Sequence, residues 1–493
     1  MSCAKSAQGS VVVPAGVRII CDMAFSDCAQ ITSIILPDGV TSIGNRAFYN
    51  CKSLRYLSIP ESVSFIGKEA FFLCLSLNVS IFDNAFYLGS EQNPFLVLLY
   101  GKSTSTKCLV NNQTKVICDK AFLKCKKLEY IVIPPGVVHI GNGVFDGCEN
   151  LSAIIVQDDN LKYSSVGNCL VEIDKKILIA GCKNSVIPAD GSVEIIAAEA
   201  FKRCAGLRSI TIPETIKYIG KSAFEECDNL SRIKIPDSVS SIPSSAFCKC
   251  RNLSCVVLEN GISDIGDSAF CGCVNLSHIT VPDSVKKIGD KAFYGCSELG
   301  SIHIGKRVKE IGESSFAKCD KLASIYIDDL ATWCCTIFAG YTDCFKNAHS
   351  LFVDGVPVTD LVIPDGVEHI GFIISSKYDF LFKQDDDGNE VKTARPYEID
   401  YDRIGFLGGA FENARFLQSV TFPKSLKFIA SSAFAGCCNL QKIVYKGSVD
   451  EWQAITKELW WATGVPCRRV LCNDGEYKIE DDESRLDIFS RLT

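Results

Sequence analysis

The chain has 493 residues, of which 47% are hydrophobic and 22% are charged, and its formal net charge is −7. Positive and negative residues are interspersed, so the sequence lacks the basic stripe that a nucleic-acid surface needs. The longest apolar run, about Phe95 to Tyr100, is far too short to span a membrane. We therefore expect neither a nucleic-acid partner nor a transmembrane segment.

The N-terminal residues, Met1 to Ser10, are largely polar. They lack the apolar stretch that forms the centre of a secretory signal peptide. The sequence therefore predicts no secretory signal at this end of the chain.

A 23-residue repeat dominates the sequence. Within two long runs, Ala-Phe pairs recur every 23 residues and begin at Ala24, Ala47, Ala70, Ala200, Ala223, Ala246, Ala269 and Ala292. Thirteen units carry the Phe, from Phe25 to Phe434, and twelve of these have Cys three residues later. Self-similarity at such a period predicts a solenoid, in which each coil buries its apolar side against its neighbours.

Each unit combines two periodicities, as the copy at 213–235 illustrates. Ile233 and Ile235 alternate with polar residues, which predicts a strand with one buried face. The preceding apolar residues are spaced by three, which predicts one short helical or 3₁₀ arc facing inward. These residues are Phe224, Cys227 and Leu230.

The unit Val-x-x-Ile-Gly-x-x-Ala-Phe-x-x-Cys-x-x-Leu-x-x-Ile-x-Ile-Pro resembles the 23-residue leucine-rich repeats of the BspA-like family over nearly the whole chain. The resemblance implies an α/β solenoid: a curved leucine-rich-repeat array with a concave parallel β-sheet and short helical or 3₁₀ arcs on its convex side. Members of this family are largely bacterial and protozoan surface proteins, associated with adhesion and protein binding. The family has no shared catalytic residues, and no cofactor is expected. Its surface location contrasts with the missing signal peptide, so the compartment stays open.

Of the 27 cysteines, twelve occupy the repeat position between the Phe and the Leu of the unit. We interpret them as a column of buried thiols that act as small apolar side chains. Disulfide bridges between successive members would require Cα atoms within about 7 Å, and the outer side of a curved solenoid is expected to fan wider than that.

Four insertions interrupt a solenoid that is otherwise predicted over residues 1–447; they lie at about 78–115, 157–192, 328–359 and 372–409. We expect the first to be an irregular, longer coil. The second contains two strand-like runs around Asp174 and Lys175, which predict a β-hairpin. The third contains Asp354-Gly355, the signal of a tight hairpin turn. The fourth departs most from the family pattern, and long loops on ordered scaffolds are often functional.

The C-terminal region begins with a helix signal. Residues 448–451 form a capping-box sequence, and Trp452, Ile455 and Leu459 then fall on one helical face. This pattern predicts a capping segment over 448–479, because the last coil of a solenoid needs a cover. An acidic tail follows at 480–493.

The fourth insertion contains a possible calcium loop. Asp385, Asp387 and Asn389 have the spacing of the first EF-hand ligands, but Glu390 stands where Gly is required and Pro396 where Glu is required. A solvated hairpin turn is therefore the better interpretation, and no calcium site is predicted.

Four cysteines on adjacent coils could in principle hold zinc: Cys248, Cys250, Cys271 and Cys273. Cys250 and Cys273, however, belong to the buried column, whereas the other two should point elsewhere. We therefore predict no metal site here either.

Two histidines lie on strand positions that should face outward. His278 and His303 have Cys255 and Ser301 nearby and Tyr326 one coil further along. A Ser-His or Cys-His pair could form there, but no carboxylate is expected at a position that would orient the imidazole. An enzyme with its site on this strip or on the 372–409 insertion is an alternative, with no catalytic residue assigned.

The outward positions of the predicted strands are the residue before the first Ile and the residue between the two Ile. In the central repeats they form the predicted binding surface: Ser209, Thr211, Arg232, Lys234, His278, Thr280, Ser301, His303, Ser324 and Tyr326. Hydroxyls and aromatic rings adapt to protein or glycan partners. The main hypothesis is a non-enzymatic recognition scaffold, adhesin-like at the cell surface, and a structural spacer or assembly protein is the other alternative.

Overall fold

The computed structural model describes residues 7–339, 348, 350–371, 409–430, 432–458 and 461–479, together with the backbone of two strands, Lys383–Gln384 and Glu390–Val391. The chain divides into two compact units, one formed by 1–239 with 245–253 and the other by 240–244 with 254–493. Within each unit, successive coils stack through parallel strand pairs, so each is a β-solenoid.

Each regular coil contributes one longer strand to what we call the long-strand sheets. The pairing keeps the step of the sequence repeat, as between Ile279 and Ile302. In the first unit these strands are Gln8–Val12, Gln30–Ile35, Tyr56–Ser58, Lys107–Leu109, Tyr130–Ile133, Ala153–Val156 and Arg232–Ile235. In the second unit they are Cys255–Leu258, His278–Val281, Ser301–Ile304, Ser324–Ile327, Ser350–Val353, Asp360–Val362, Ser419–Phe422, Lys442–Tyr445 and Arg469–Leu471.

A second parallel ladder, not expected from the sequence, is built from two-residue strands. Two residues are too few to show a period of two, so the sequence pattern could not reveal them. In the first unit they are Ile19–Ile20, Ser42–Ile43, Phe65–Ile66, Val116–Ile117, His139–Ile140, Ile195–Ile196 and Tyr218–Ile219. In the second unit they are Ser241–Ile242, Asp264–Ile265, Lys287–Ile288, Glu310–Ile311, Ile337–Phe338, His369–Ile370, Phe428–Ile429 and Thr456–Lys457.

The predicted helical or 3₁₀ arcs are not confirmed. Around each described Phe of the repeat, such as Phe224, the chain forms a run of turns, which we call the arc of the coil. The described residues contain only two helices, Leu330–Cys334 and Val449–Ala454, and neither is a repeat arc. Inward-facing apolar residues are three positions apart both in this run of turns and in a 3₁₀ helix, so the apolar pattern could not distinguish the two conformations.

Backbone hydrogen bonds join each regular arc to the next. The first arc donates three of them at N···O distances of 2.9, 2.7 and 2.8 Å, from Met23 to Asn45, from Phe25 to Ala47 and from Asp27 to Tyr49. Met23 and Asp27 have left-handed φ angles of 55° and 62°, a conformation that breaks a helix. Alternate amides of the arc thus bond to the neighbouring coil, while those between them, such as the Ser26 N–H to the Met23 carbonyl at 3.0 Å, bond within the arc. A helix would bond them all within itself.

The Phe side chains form stacked ladders inside the arcs. The ring centroids of Phe201 and Phe224 are 5.0 Å apart with an interplanar angle of 8°, and those of Phe293 and Phe316 are 5.6 Å apart with an angle of 3°. Phe224 and Phe293 are fully buried. These rings form much of the apolar core on this side of each coil.

The cysteine column is buried, as predicted, and it also makes hydrogen bonds. The Cys227 thiol donates to the carbonyl of Phe201 in the preceding coil, with an Sγ···O distance of 3.0 Å. The same carbonyl accepts the backbone N–H of Cys204 at 2.9 Å, so both of its lone pairs are used. Burial raises the pKa of Cys204 to about 12 and that of Cys319 likewise to about 12, which keeps the thiols protonated.

The first two insertions are three-stranded antiparallel meanders. The first consists of Ser80–Phe82, Ala85–Leu88 and Val97–Gly101, which corrects the expected longer coil. The second consists of Tyr163–Val166, Cys169–Glu172 and Ile177–Ala180. Its last two strands confirm the predicted hairpin, and the last strand of each meander joins the two-residue ladder.

The third insertion contains the predicted hairpin. Ser350–Val353 pairs antiparallel with Val356–Pro357, and the turn residues Asp354 and Gly355 have φ angles of 49° and 76°. In the fourth insertion the strands Lys383–Gln384 and Glu390–Val391 pair antiparallel. Asp385, Asp387 and Asn389, which were considered as calcium ligands and rejected, lie outside the described part of the chain.

The capping box at the C-terminal region is confirmed. The Ser448 hydroxyl accepts the N–H of Glu451, and the Glu451 carboxylate accepts the N–H of Ser448. The helix ends at Ala454, before Ile455, and Leu459 lies outside the described residues, as does the tail at 480–493. The antiparallel strand Glu476–Lys478 then pairs with the last long strand.

Both early insertions return to the stack through a Gly that takes the place of a Phe. The amide of Gly181 donates to the Ala200 carbonyl at 2.9 Å, which is the bond that a Phe amide makes in a regular arc. A Cβ atom on Gly181 would lie 1.9 Å from Cε1 of Phe201. Gly101 has the same relation to Phe122, with 2.3 Å to Cδ1. The Phe ring of the following coil therefore fills the space that a side chain would need.

We expect Gly181→Ala to destabilise the protein by about 1–3 kcal/mol, because the methyl group would overlap a fully buried ring. Urea unfolding followed by circular dichroism measures the change. Gly300→Ala is the control, since its nearest atom would lie 3.7 Å away and its φ is not left-handed. Equal unfolding midpoints for the two variants would contradict the close approach.

The thiols should also differ in reactivity. In the native protein we expect iodoacetamide to modify the exposed Cys21 and Cys438, while the buried Cys227, Cys250 and Cys296 react only after unfolding. Burial raises the pKa of Cys250 to about 12, so almost no thiolate is present at neutral pH. Peptide mass spectrometry reports each site separately. Labelling of the buried column at the rate of Cys21 would refute the hydrogen-bonded thiol ladder.

Candidate recognition surface

The outer face of the long-strand sheet in the second unit carries most of the predicted binding residues. Along His278–Val281 the side chains of Ile279 and Val281 are buried, whereas His278 and Thr280 are exposed. The strands Ser301–Ile304 and Ser324–Ile327 show the same alternation. The strand period of two therefore directs the predicted residues outward, as expected.

Strand register arranges these outward side chains in two parallel rows. One row, the hydroxyl row, contains His278, Ser301, Ser324 and Ser350. The other, the aromatic row, contains Thr280, His303, Tyr326 and Phe352. Both rows cross the same four strands, and on three of these strands a Ser stands two residues before a ring. The result is a regular amphipathic surface.

The aromatic row is in direct ring contact. The centroids of Tyr326 and Phe352 are 4.5 Å apart with an interplanar angle of 14°, and those of His303 and Tyr326 are 6.3 Å apart and tilted. Stacking between neighbouring strands fixes both aromatic side chains in place. All three residues are half-buried, so their rings are supported by the sheet and still accessible.

His303 has a carboxylate partner that was not expected from the sequence. Its Nε2 lies 2.8 Å from Oδ1 of Asp328, and both side chains are 39% exposed. Asp328 follows the Ser324–Ile327 strand directly and lies 25 residues after the histidine, which is out of step with the repeat. The contact holds the imidazole in one orientation.

The two histidines nevertheless do not form a catalytic triad. Nδ1 of His278 lies 3.1 Å from the Ser277 hydroxyl, while the carboxylate of Asp328 contacts the other imidazole, that of His303. The hydroxyl of Ser277 and the carboxylate of Asp328 thus contact different imidazole rings. In a Ser-His-Asp triad, the hydroxyl and the carboxylate must both contact the same imidazole.

Four of the predicted binding residues belong to the first unit. Ser209, Thr211, Arg232 and Lys234 are all exposed, and Ser209 pairs with Arg232 in a parallel bridge. They form a small basic and hydroxyl surface on that unit.

Ser350 and Phe352 extend the surface and were not predicted. They pair with Ser324 and Tyr326 but stand out of step with the repeat, because part of the third insertion precedes their strand. The signal that could have found them is the pattern Ser-x-His or Ser-x-aromatic, which occurs at 301–303, 324–326 and 350–352.

No group of three or more His, Cys, Asp or Glu side chains within the described ranges has an arrangement that could hold a metal ion. Of the four cysteines considered as zinc ligands, Cys250 donates its thiol proton to the Phe224 carbonyl at 3.0 Å. Cys248 and Cys273 are also buried, and Cys271 is half-buried.

The sequence comparison identifies the repeat. The family model of the BspA type leucine rich repeat region matches this chain in six copies, which together cover residues 2–91, 99–169, 172–296, 263–372 and 403–455. The chain belongs to the BspA-type leucine-rich-repeat family. No curated protein matches it. The family places this BspA-type protein among repeat scaffolds suited to protein interaction.

Several solved structures are similar to this BspA-type chain. A leucine rich cell surface protein from Faecalibacterium prausnitzii is 26% identical, with 66% of this chain and 89% of that chain covered and a TM-score of 0.39. A leucine-rich repeat protein from Bacteroides ovatus is 27% identical, with coverage of 70% and 91% and a TM-score of 0.37. A third, from Eubacterium ventriosum, is 19% identical, with coverage of 96% and 94% and a TM-score of 0.35.

The helices of this protein are short. The longer of the two in the described ranges has six residues, and none is long and apolar enough to cross a membrane.

Proposed function

We propose that this protein is a non-enzymatic recognition scaffold that binds a protein partner on the hydroxyl and aromatic rows of its second unit. The observation that supports this most strongly is the register of three neighbouring strands, each presenting Ser two residues before a ring: His303, Tyr326 and Phe352. Rings and hydroxyls held on a rigid sheet can form an interface with little loss of side-chain entropy.

The ring geometry favours a protein over a glycan. Tyr326 and Phe352 stack on each other, so part of each ring face is already covered and less of it is left for a sugar ring. Tyrosine and phenylalanine used in this way are typical of the centres of protein interfaces. The hydroxyl row of Ser301, Ser324 and Ser350 favours the second candidate, a glycan bound through hydrogen bonds.

We also propose that the protein acts in adhesion at a cell surface, as the family resemblance implies. Antibody labelling of intact and permeabilised cells tests this location. Labelling of intact cells supports it, and labelling only after permeabilisation would refute it.

The enzymatic alternative is open to a direct test. The divided contacts of His278 and His303 give no support to a hydrolase at this surface. Profiling with broad hydrolase probes is the experiment, since probe labelling that disappears in His303→Ala would favour catalysis. The other possible enzymatic site was the 372–409 insertion. Between residues 372 and 408 the structure describes no side chains.

The binding surface is tested with the whole chain on an array of extracellular proteins and an array of oligosaccharides. For a ligand found on either array, we expect Tyr326→Ala/Phe352→Ala to lower the affinity by about tenfold or more, because the anchoring rings are lost. Tyr218→Ala is the matched control, since Tyr218 is exposed by 53% on the first unit and lies outside both rows. Affinity unchanged by the double substitution would refute the assigned surface.

A further inference from the structure

The third arc of the first unit, Glu69–Cys74, ends a stack. In regular arcs three amides donate to carbonyls of the next arc, and all three bonds are present in the arcs that begin at Met23, Arg46, Lys120 and Glu199. The corresponding amides of the third arc are those of Glu69, Phe71 and Leu73. Among the described residues they have no hydrogen-bond acceptor, because the first insertion follows where the next arc would stand.

The Phe ladder ends at the same place. Phe71 stacks on Phe48 at 5.7 Å with an interplanar angle of 9°, but no ring in the described part of the chain covers its other face. Phe71 is consequently half-buried, whereas Phe48 is fully buried and Phe122 is 1% exposed. The third arc therefore offers three backbone donors beside one open aromatic face.

The composition of the third arc is also unusual. The left-handed position two residues after the Phe holds Gly or a polar residue in the other twelve arcs, but the third arc has Leu73 there, at φ 63°. A branched apolar side chain is unfavourable in this conformation. Phe72 and Leu75 nearby are 55% and 83% exposed. These apolar residues thus gather around an arc whose three outward amides have no acceptor among the described residues.

We propose that the third arc is a docking site for an extended polypeptide segment of a partner protein. The segment would add to the stack as the missing arc, with alternate carbonyls accepting from Glu69, Phe71 and Leu73 and an apolar or aromatic side chain packing on Phe71. This site does not rest on the recognition surface of the second unit.

The chain itself shows what such an occupant looks like. On the arc at 199–203 the next segment of chain supplies the carbonyls of Lys221, Ala223 and Glu225, at N···O distances of 3.0, 2.7 and 2.7 Å. The same segment places Phe224 over Phe201 with centroids 5.0 Å apart. Backbone carbonyls at alternate positions with one aromatic ring are thus the chemistry that an open arc accepts, as in peptide recognition by strand addition.

Hydrogen exchange of the whole chain, resolved to single amides by mass spectrometry, gives the first test. The amides of Glu69, Phe71 and Leu73 should exchange at least about tenfold faster than those of Arg46, Phe48 and Asn50, which are hydrogen-bonded in the second arc. Equal protection in the two arcs would overturn the proposal, because the third arc would already be covered.

The second test adds a synthetic peptide with the sequence of residues 219–230, which forms the arc stacked on 199–203. We expect saturable binding in the micromolar range and slower exchange at the three amides. A peptide with Phe224→Gly should bind at least about tenfold more weakly, since it lacks the stacking ring. If the first peptide, added up to its solubility limit, did not slow hydrogen exchange at these three amides, the proposal would be overturned.

A pair of protein variants localises the binding. Leu75→Glu should weaken the peptide at least about tenfold, because it places a charge beside the apolar arc. Leu161→Glu is the control, since Leu161 is 90% exposed in the second insertion and should leave binding unchanged. Equal effects of the two variants would overturn the assigned site.

The protein alone is also measured at rising concentration. If the three amides of the third arc became protected from exchange without peptide, the occupant would be a second copy of this chain, and the proposal of a different partner protein would be overturned.

Discussion

The structure depends on backbone hydrogen bonding between coils at the constant step of the sequence repeat. In a regular coil the longer strand, the two-residue strand and the arc all bond to the next coil, as at His278, Lys287 and Lys291. A side chain at one repeat position therefore meets its equivalent in the next coil. Stacked Phe rings, thiols that bond to the preceding coil and rows of surface residues all follow from this single constraint.

The same step organises the charged surface. Ion pairs at 2.5, 2.6 and 2.9 Å join residues one repeat apart: Lys287 with Glu310, Lys321 with Glu298, and Arg251 with Asp228. Exposed pairs of this kind contribute only about 0–1 kcal/mol each. Their main effect is on register, because a slip by one residue would lose these pairs along with the backbone bonds.

Much of the fold could be predicted from the sequence because the repeat is so regular. The solenoid, the outward position of His303 and the burial of the cysteines all follow from period and spacing. The arc conformation could not be predicted, since inward residues spaced by three fit both a helix and a run of turns. It is decided by left-handed residues such as Met23 and Arg46, whose side chains carry no strong signal for that conformation.

The residues at which the chain departs from the repeat were harder to predict than the regular coils. Gly101 and Gly181 replace a Phe, and this role becomes visible only when the ring of the following coil is in place. Phe352 and Asp328 join the candidate surface out of step with the repeat, so a search at the fixed step misses both. Insertions thus do two things in this protein: they extend one surface and leave the third arc open.

The central claim is that the fold is held by this fixed step, and deleting one coil tests it most directly. Removal of residues 282–304 takes out one full period of 23 residues and joins Val281 to Gly305. The account predicts that this variant retains β-sheet circular dichroism and cooperative unfolding, whereas removal of the 22 residues 282–303 loses cooperativity because every later side chain shifts by one position. Equal stability of the two deletion variants would contradict it.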